Sequence, residues 1–242
     1  RLERDEGFSF MPALLESARQ RTTCLLALSW REGAEFVPGT WAMVGSEAGI
    51  LGDKALAGGL SQQLEAWGQG KRYRYTGTNN SILMVRVEPS PRILICGAGP
   101  DAVPVARQVD ALGWESIVAD HRGAYARAER FPDTTRVLHI RPSGLGDAID
   151  LGEIDAAIVM SHNLEHDSAY LQQLANRRLA YLGLLGPKAR RLQLQSELAI
   201  DDGLIHGPAG FDIGAELPES VALSIVAEMH ARLNAGGRPS EN

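Results

Sequence analysis

The sequence predicts an α/β protein, a doubly wound parallel sheet preceded by a smaller α+β domain. Three observations carry that expectation. Residues 92–122, RILICGAGPDAVPVARQVDALGWESIVADHR, read as strand, glycine turn, helix, strand and acid. Apolar runs of strand length then alternate with helix-like stretches, the pattern of βαβ units. The proline-bearing EPSP at residues 88–91 separates these from a glycine-rich section of different character, which divides the chain into domains 1–89 and 90–242.

Each element follows from local pattern. In the first domain residues 12–20 have helical periodicity, 22–30 form an apolar strand, 41–44 and 50–51 are short strands around a turn, 60–67 a second helix and 81–87 a strand. So small a section is expected to pack on the second domain or on another protein chain. In the second domain residues 92–96 are apolar without alternation, as a parallel strand covered on both faces requires. Ala102, Ala106 and Val109 recur at helical spacing toward Gly113, a C-terminal stop, and residues 117–119 begin again as a strand. Residues 137–140, 156–160 and 179–182 read as further strands, with helices at 170–176 and 188–197 between them. A loop rich in glycine and proline, HGPAGFDIGAELP, leads to a final helix from 218 to about 235 and a frayed tail.

Composition narrows the classes. At 242 residues and 44% hydrophobic the chain buries a substantial core. A net charge of -6, with no basic run and no aromatic platform, argues against a nucleic-acid binder. No apolar stretch approaches the length of a membrane span and RLERDEGFSF has no apolar signal core, so a cytoplasmic protein is expected. The chain opens on arginine, so residues upstream are expected to be missing or removed. Cys24 and Cys96 lie inside apolar runs and are expected as buried core residues rather than a disulfide or metal ligands.

The glycine turn both announces a nucleotide fold and departs from it. Gly97, Gly99 and Ala102 match GxGxxA, and Asp120 stands about twenty residues on, where an acid holds a ribose hydroxyl. Arg122 leaves room for a 2'-phosphate, so NAD or NADP as cofactor of an oxidoreductase is one reading of this Rossmann-like segment. However, a pyrophosphate sits on free amides at the helix N-terminus. Pro100 deletes one such amide, and Asp101 puts a carboxylate in the phosphate's place while serving as an N-cap that satisfies the amides itself.

Three further stretches follow strand ends, where such sheets bind ligands. In SHNLEHD, His162, Asn163 and Asp167 are candidate ligand-binding residues; the alternative is that Asn163 or Ser161 caps a helix and His162 orders the loop. In GLLGPKARR, after Gly186, the three cations Lys188, Arg190 and Arg191 come near a helix N-terminus, suited to a phosphate, or else form a solvated helix face. In GPAGFDIGAELPES, Asp212 binds a ligand or caps a turn. No recognised metal-ligand spacing is present.

GAGPDAVPVARQVDALGW, VADHR, RFPDT, MSHNLEHDSAYL, YLGLLGPKARR and GPAGFDIGAELPESVALSIVAEM together resemble the XdhC/CoxI family, and the resemblance runs from residue 91 to 233 in the family's order. It implies an XdhC/CoxI-like N-terminal domain followed by a Rossmann-like domain. It also implies a maturation factor, itself a non-catalytic chaperone, which binds molybdenum cofactor, assists its sulfuration by a cysteine desulfurase and delivers it to an apo molybdenum hydroxylase such as xanthine dehydrogenase or carbon monoxide dehydrogenase. A homodimer is consistent with the family. On this reading the molybdopterin-type ligand lies near Gly97, Gly99, His162, Asp167 and the basic turn 188–191, with His162 and Asp167 positioning the pterin or protonating an exchanging ligand, and the cations holding its phosphate. One departure stands out. Family sequences carry a glycine-glycine-cysteine segment, and the counterpart here is Gly58, Gly59 and Leu60, without sulfur. A scaffold that grips a partner enzyme and binds nothing small is the remaining reading.

Overall fold

The computed structural model describes residues 10–31, 41–45, 49–52, 73–76 and 80–234. The expected helix at 60–67 and the departure at Leu60 lie outside the described residues. The chain divides into two units, one ending at Ser90 and the other running from Pro91 to Ala235.

The first unit holds helix α1 (Met11–Arg19) and an antiparallel sheet of β1 (Cys24–Arg31), β2 (Trp41–Gly45), β3 (Gly49–Gly52), β4 (Tyr73–Thr76) and β5 (Asn80–Val87), in the order β3-β2-β1-β5-β4. Strand β4 is not among the expected elements, because YRYT is short and carries one charge in four residues. Cys24, Leu26 and Met43 form a buried cluster with Phe10, Ala13, Leu14, Trp41 and Val87. Leu25 and Ala27, pointing to the other face, are buried as well.

The second unit is a five-stranded parallel sheet in the order β10-β9-β6-β7-β8, built from β6 (Arg92–Cys96), β7 (Glu115–Asp120), β8 (Arg136–His139), β9 (Ala156–Val159) and β10 (Tyr181–Leu184). Its helices are α2 (Ala102–Ala111), the single turn α3 (Leu145–Ala148), α4 (Leu164–Leu174), α5 (Lys188–Leu198) and α6 (Pro218–Asn234). This is the expected doubly wound architecture, and β6 shows why its sequence does not alternate. Ile93 and Ile95 pack with Ala102, Val105, Ala106 and Val109 of α2 and with Ala222, Ile225, Val226 and Met229 of α6. Leu94 and Cys96 pack on the opposite side with Tyr170, Leu171 and Leu174 of α4 and Leu194 of α5. Both cysteines are free and buried. Gly113, at φ +71, ends α2 as expected.

Two boundaries differ from the sequence reading. Helix α4 begins at Leu164, six residues before the expected start, because the Asn163 side chain accepts the His166 N–H (3.0 Å) and opens the helix on a polar turn that hides the apolar period. Strand β10 is Tyr181–Leu184, two residues later than expected, because LAYLGLL is apolar throughout and parallel pairing with Ala156–Val159 selects its register. Among the described residues no helix is long and apolar enough to cross a membrane.

Candidate functional site

From β6 the chain builds outward through β7 and β8, then returns to place β9 on the other side of β6. The loops after β6 and β9 therefore leave the sheet at its switch point, the place where doubly wound sheets form a ligand crevice at the carboxyl ends of their strands. Gly97 makes the close approach possible. At φ +116 it adopts a conformation that L side chains rarely do, and a Cβ there would lie 2.6 Å from the Met160 carbonyl oxygen.

Asp101 and His162 meet at this switch point and join the two loops. His162 Nε2 lies 2.6 Å from Asp101 Oδ2, a contact between residues 61 apart in sequence. His162 is one of the few non-glycine residues with positive φ (59°), which turns its ring toward Asp101 and leaves 56% of the side chain exposed. The expectation that Asp101 caps α2 is corrected here. Its backbone is already helical (φ -72, ψ -22) and its side chain makes no cap bond, because the carboxylate reaches back over Gly99 to His162 instead. Oδ2 meets the histidine; Oδ1 is buried with no hydrogen-bond partner among the described residues.

Asp120 is placed as the sequence suggests, at the end of β7, but its carboxylate is occupied from within. Oδ2 accepts the Ala98 N–H (2.7 Å) and Arg122 Nη2 (2.7 Å), and Oδ1 accepts the Arg122 backbone N–H (2.8 Å) and Nε (3.0 Å). Only 2% of Asp120 is exposed. Burial alone would raise its pKa; the Arg122 guanidinium and the N–H groups of Ala98 and Arg122 outweigh it and hold the group at about 2. The same turn is fastened by Arg130, whose Nη1 donates to the carbonyls of Ala98 (2.6 Å) and Tyr125 (2.7 Å). Both guanidiniums lie over the Tyr125 ring, Arg122 at 4.4 Å and Arg130 at 5.1 Å. Beside them His121 and His166 meet edge to face at 4.2 Å, and burial together with His166 lowers the His121 pKa.

On the β9 side Asp167 is fully buried, its Oδ1 bonded by the Ser161 hydroxyl and backbone N–H and its Oδ2 2.7 Å from Arg190 Nη2. Burial raises its pKa despite Ser161 and Arg190. Gly186, at φ +143, turns the chain from β10 into α5, whose cap residue Pro187 offers no side-chain bond to the first amides. The three cations of the basic turn do not converge. Arg190 points inward to Asp167, Arg191 is held by Gln195 (2.6 Å) and Asp202 (3.2 Å), and Lys188 is exposed. Asn163 spends its side chain as the α4 cap, and Asp212 Oδ1 accepts the Gly214 N–H (3.4 Å) within its own loop. Both residues thus make the local cap or turn bond that their sequence context allows. No group of three or more potential metal ligands occurs among the described residues.

One network has no counterpart among the sequence motifs. Glu228 Oε2 accepts the Tyr181 hydroxyl (2.9 Å) and the Gly210 N–H (2.8 Å), while Oε1 lies 3.1 Å from His206 Nδ1, and His206 stacks on Tyr181 at 4.9 Å. It pins the 206–210 loop to α6 and β10. Its one sequence signal is a glutamate between Ile225, Val226 and Met229, where the helical period calls for an apolar residue.

Comparison with known proteins identifies the domain that carries these residues. The XdhC Rossmann domain profile matches residues 93–229. A protein of Bacillus subtilis (strain 168), named there as a probable xanthine dehydrogenase subunit, is 36% identical over 149 residues, 62% of this chain and 45% of that protein. The uncharacterised protein YqeB of Escherichia coli (strain K12) is 30% identical over 156 residues, 61% of this chain and 28% of its own length. These matches therefore span less than half of either curated relative. A crystal structure described as a xanthine dehydrogenase from Bacillus halodurans matches 97% of this chain and 66% of its own with a TM-score of 0.72; at 20% identity the likeness is one of fold.

Proposed function

The chain belongs to the XdhC family through its Rossmann domain, and from that premise we propose that it is an accessory factor which binds molybdenum cofactor, assists its sulfuration and passes it to a molybdenum hydroxylase such as xanthine dehydrogenase. The observation that carries this reading is the Asp101–His162 couple at the switch point. A dinucleotide pyrophosphate needs unpaired amides and no competing anion on this turn. Here the Ala98 amide is spent on Asp120, Pro100 has none, and a carboxylate stands above the turn. A crevice so furnished suits a ligand with its own hydrogen-bond donors, which the pterin end of the cofactor supplies. The exposed ammonium of Lys188, next to uncapped amides of α5, is the group available to a phosphate. Cysteine desulfurase and the apo-hydroxylase are the partners this role requires.

The test is to purify the full chain from a host that makes the cofactor and measure pterin fluorescence after oxidative release. Pterin should co-purify, and His162→Ala should reduce it at least severalfold. Calorimetry with NAD(H) and NADP(H) should give no saturable heat; saturable binding, with no pterin released, would replace this reading by a nicotinamide one.

A further inference from the structure

We propose that Asp101 reads the donor edge of a 2-amino-4-oxopyrimidine ring, so that this glycine turn receives N–H groups where a dinucleotide fold receives a phosphate. The inference rests on the crevice being a pterin site and assigns which end of the ligand enters it.

The polarity of the turn is the first ground. The Gly97 amide is bonded to the Ala119 carbonyl (2.8 Å), that of Ala98 to Asp120 (2.7 Å) and that of Ala102 to the Gly99 carbonyl (3.2 Å), while Pro100 lacks one. The donors that would hold an anion are therefore largely committed. The incomplete satisfaction of Asp101 is the second ground. An ionised carboxylate accommodates about four hydrogen bonds. This one meets His162 through Oδ2, while Oδ1 is enclosed against Gly99 without a donor among the described residues. A buried acceptor left unpaired is costly, so a ligand that supplies the missing donor recovers that cost on binding.

Shape is the third ground. The side chain is 22% exposed, and the torsion that turns a carboxylate about its own axis is soft, so both oxygens can be offered together. Gly99 provides the room, since a Cβ there would lie 2.5 Å from Oδ1. The ring N–H and the 2-amino group of an aminopyrimidinone are parallel neighbours and match the two oxygens as a guanidinium does. A 2,4-dioxo ring replaces one donor by an acceptor and sets two oxygens against each other. Guanine shares the donor edge with pterin.

The full chain is titrated at pH 7 with pterin, lumazine (the 2,4-dioxo analogue) and guanosine, following fluorescence and heat. Pterin should bind at least tenfold more tightly than lumazine. Asp101→Asn should abolish or invert that preference, and Gly99→Ala, which displaces the carboxylate without touching it chemically, should weaken it, with circular dichroism unchanged in both. Equal affinity for pterin and lumazine, a preference that survives in Asp101→Asn, or no binding of any of the three overturns the proposal. Co-purifying cofactor together with unchanged discrimination in Asp101→Asn leaves the general function standing and removes this assignment. A preference for guanosine over pterin, lost in Asp101→Asn, supports the donor edge and removes the pterin reading instead.

Discussion

Asp120 shows how a residue can be legible in place and illegible in role. Its distance from the glycines identifies the end of the second strand, but whether its oxygens face a ribose or the protein depends on the side-chain path of Arg122, which no spacing encodes. The structure makes its charge a stabilising feature with a definite pH signature. The folded pKa, about 2, lies below the ordinary 3.8, so the contribution is complete above the unfolded value and is lost as the pH falls through the folded one. A shift of this size corresponds to about 2 kcal/mol at neutral pH. Asp120→Asn should therefore lose about that much in urea denaturation at pH 7, and the penalty should shrink by roughly half at pH 3. A penalty equal at both values would show that shape rather than charge is what Asp120 contributes. Asp101 teaches the same lesson. Sequence places a carboxylate at the turn, but its partner is 61 residues away, and local cap preferences point it at the wrong amides.

At the scale of elements, the unit strand–turn–helix formed by β6, Gly97 and α2 is the most readable part of the chain, because apolar burial and glycine stereochemistry are both local. Its glycines are nevertheless not equivalent. Gly97 combines φ +116 with a backbone oxygen 2.6 Å from the missing Cβ, whereas Gly113, at φ +71, has open space around it. Gly97→Ala should cost about 3 kcal/mol, a fall of roughly 6–12 °C in Tm, against about 1 kcal/mol for Gly113→Ala. Comparable losses at both positions would show that conformational strain alone, not the contact with the β9 loop, sets the cost. The limits of helix α4 and strand β10 are displaced in the sequence pattern, since a polar first turn and a uniformly apolar run both erase the period that marks a boundary.

For the molecule as a whole, the second unit carries its own two-sided core, which among the described residues is drawn from 93–233. A fragment spanning 91–235 should accordingly unfold in one cooperative urea transition by circular dichroism; a broad, gradual loss would show that its core needs the preceding segment. The architecture is legible because alternation of strands and helices is a periodic signal. The site is legible only as a place, since its pairings join loops separated by several elements. The sheet's two margins also differ. At β10 the chain lays His206 alongside in a single parallel bridge, exchanging hydrogen bonds with Leu182 and Leu184, and the Glu228 network holds it there. That margin has its terminal backbone groups already matched and offers little template to a visiting strand. At β8 only four residues run free, begun by Arg136 and ended by His139, both exposed. Brevity and charge thus guard one rim of the sheet against runaway self-association, and a tethered histidine guards the other.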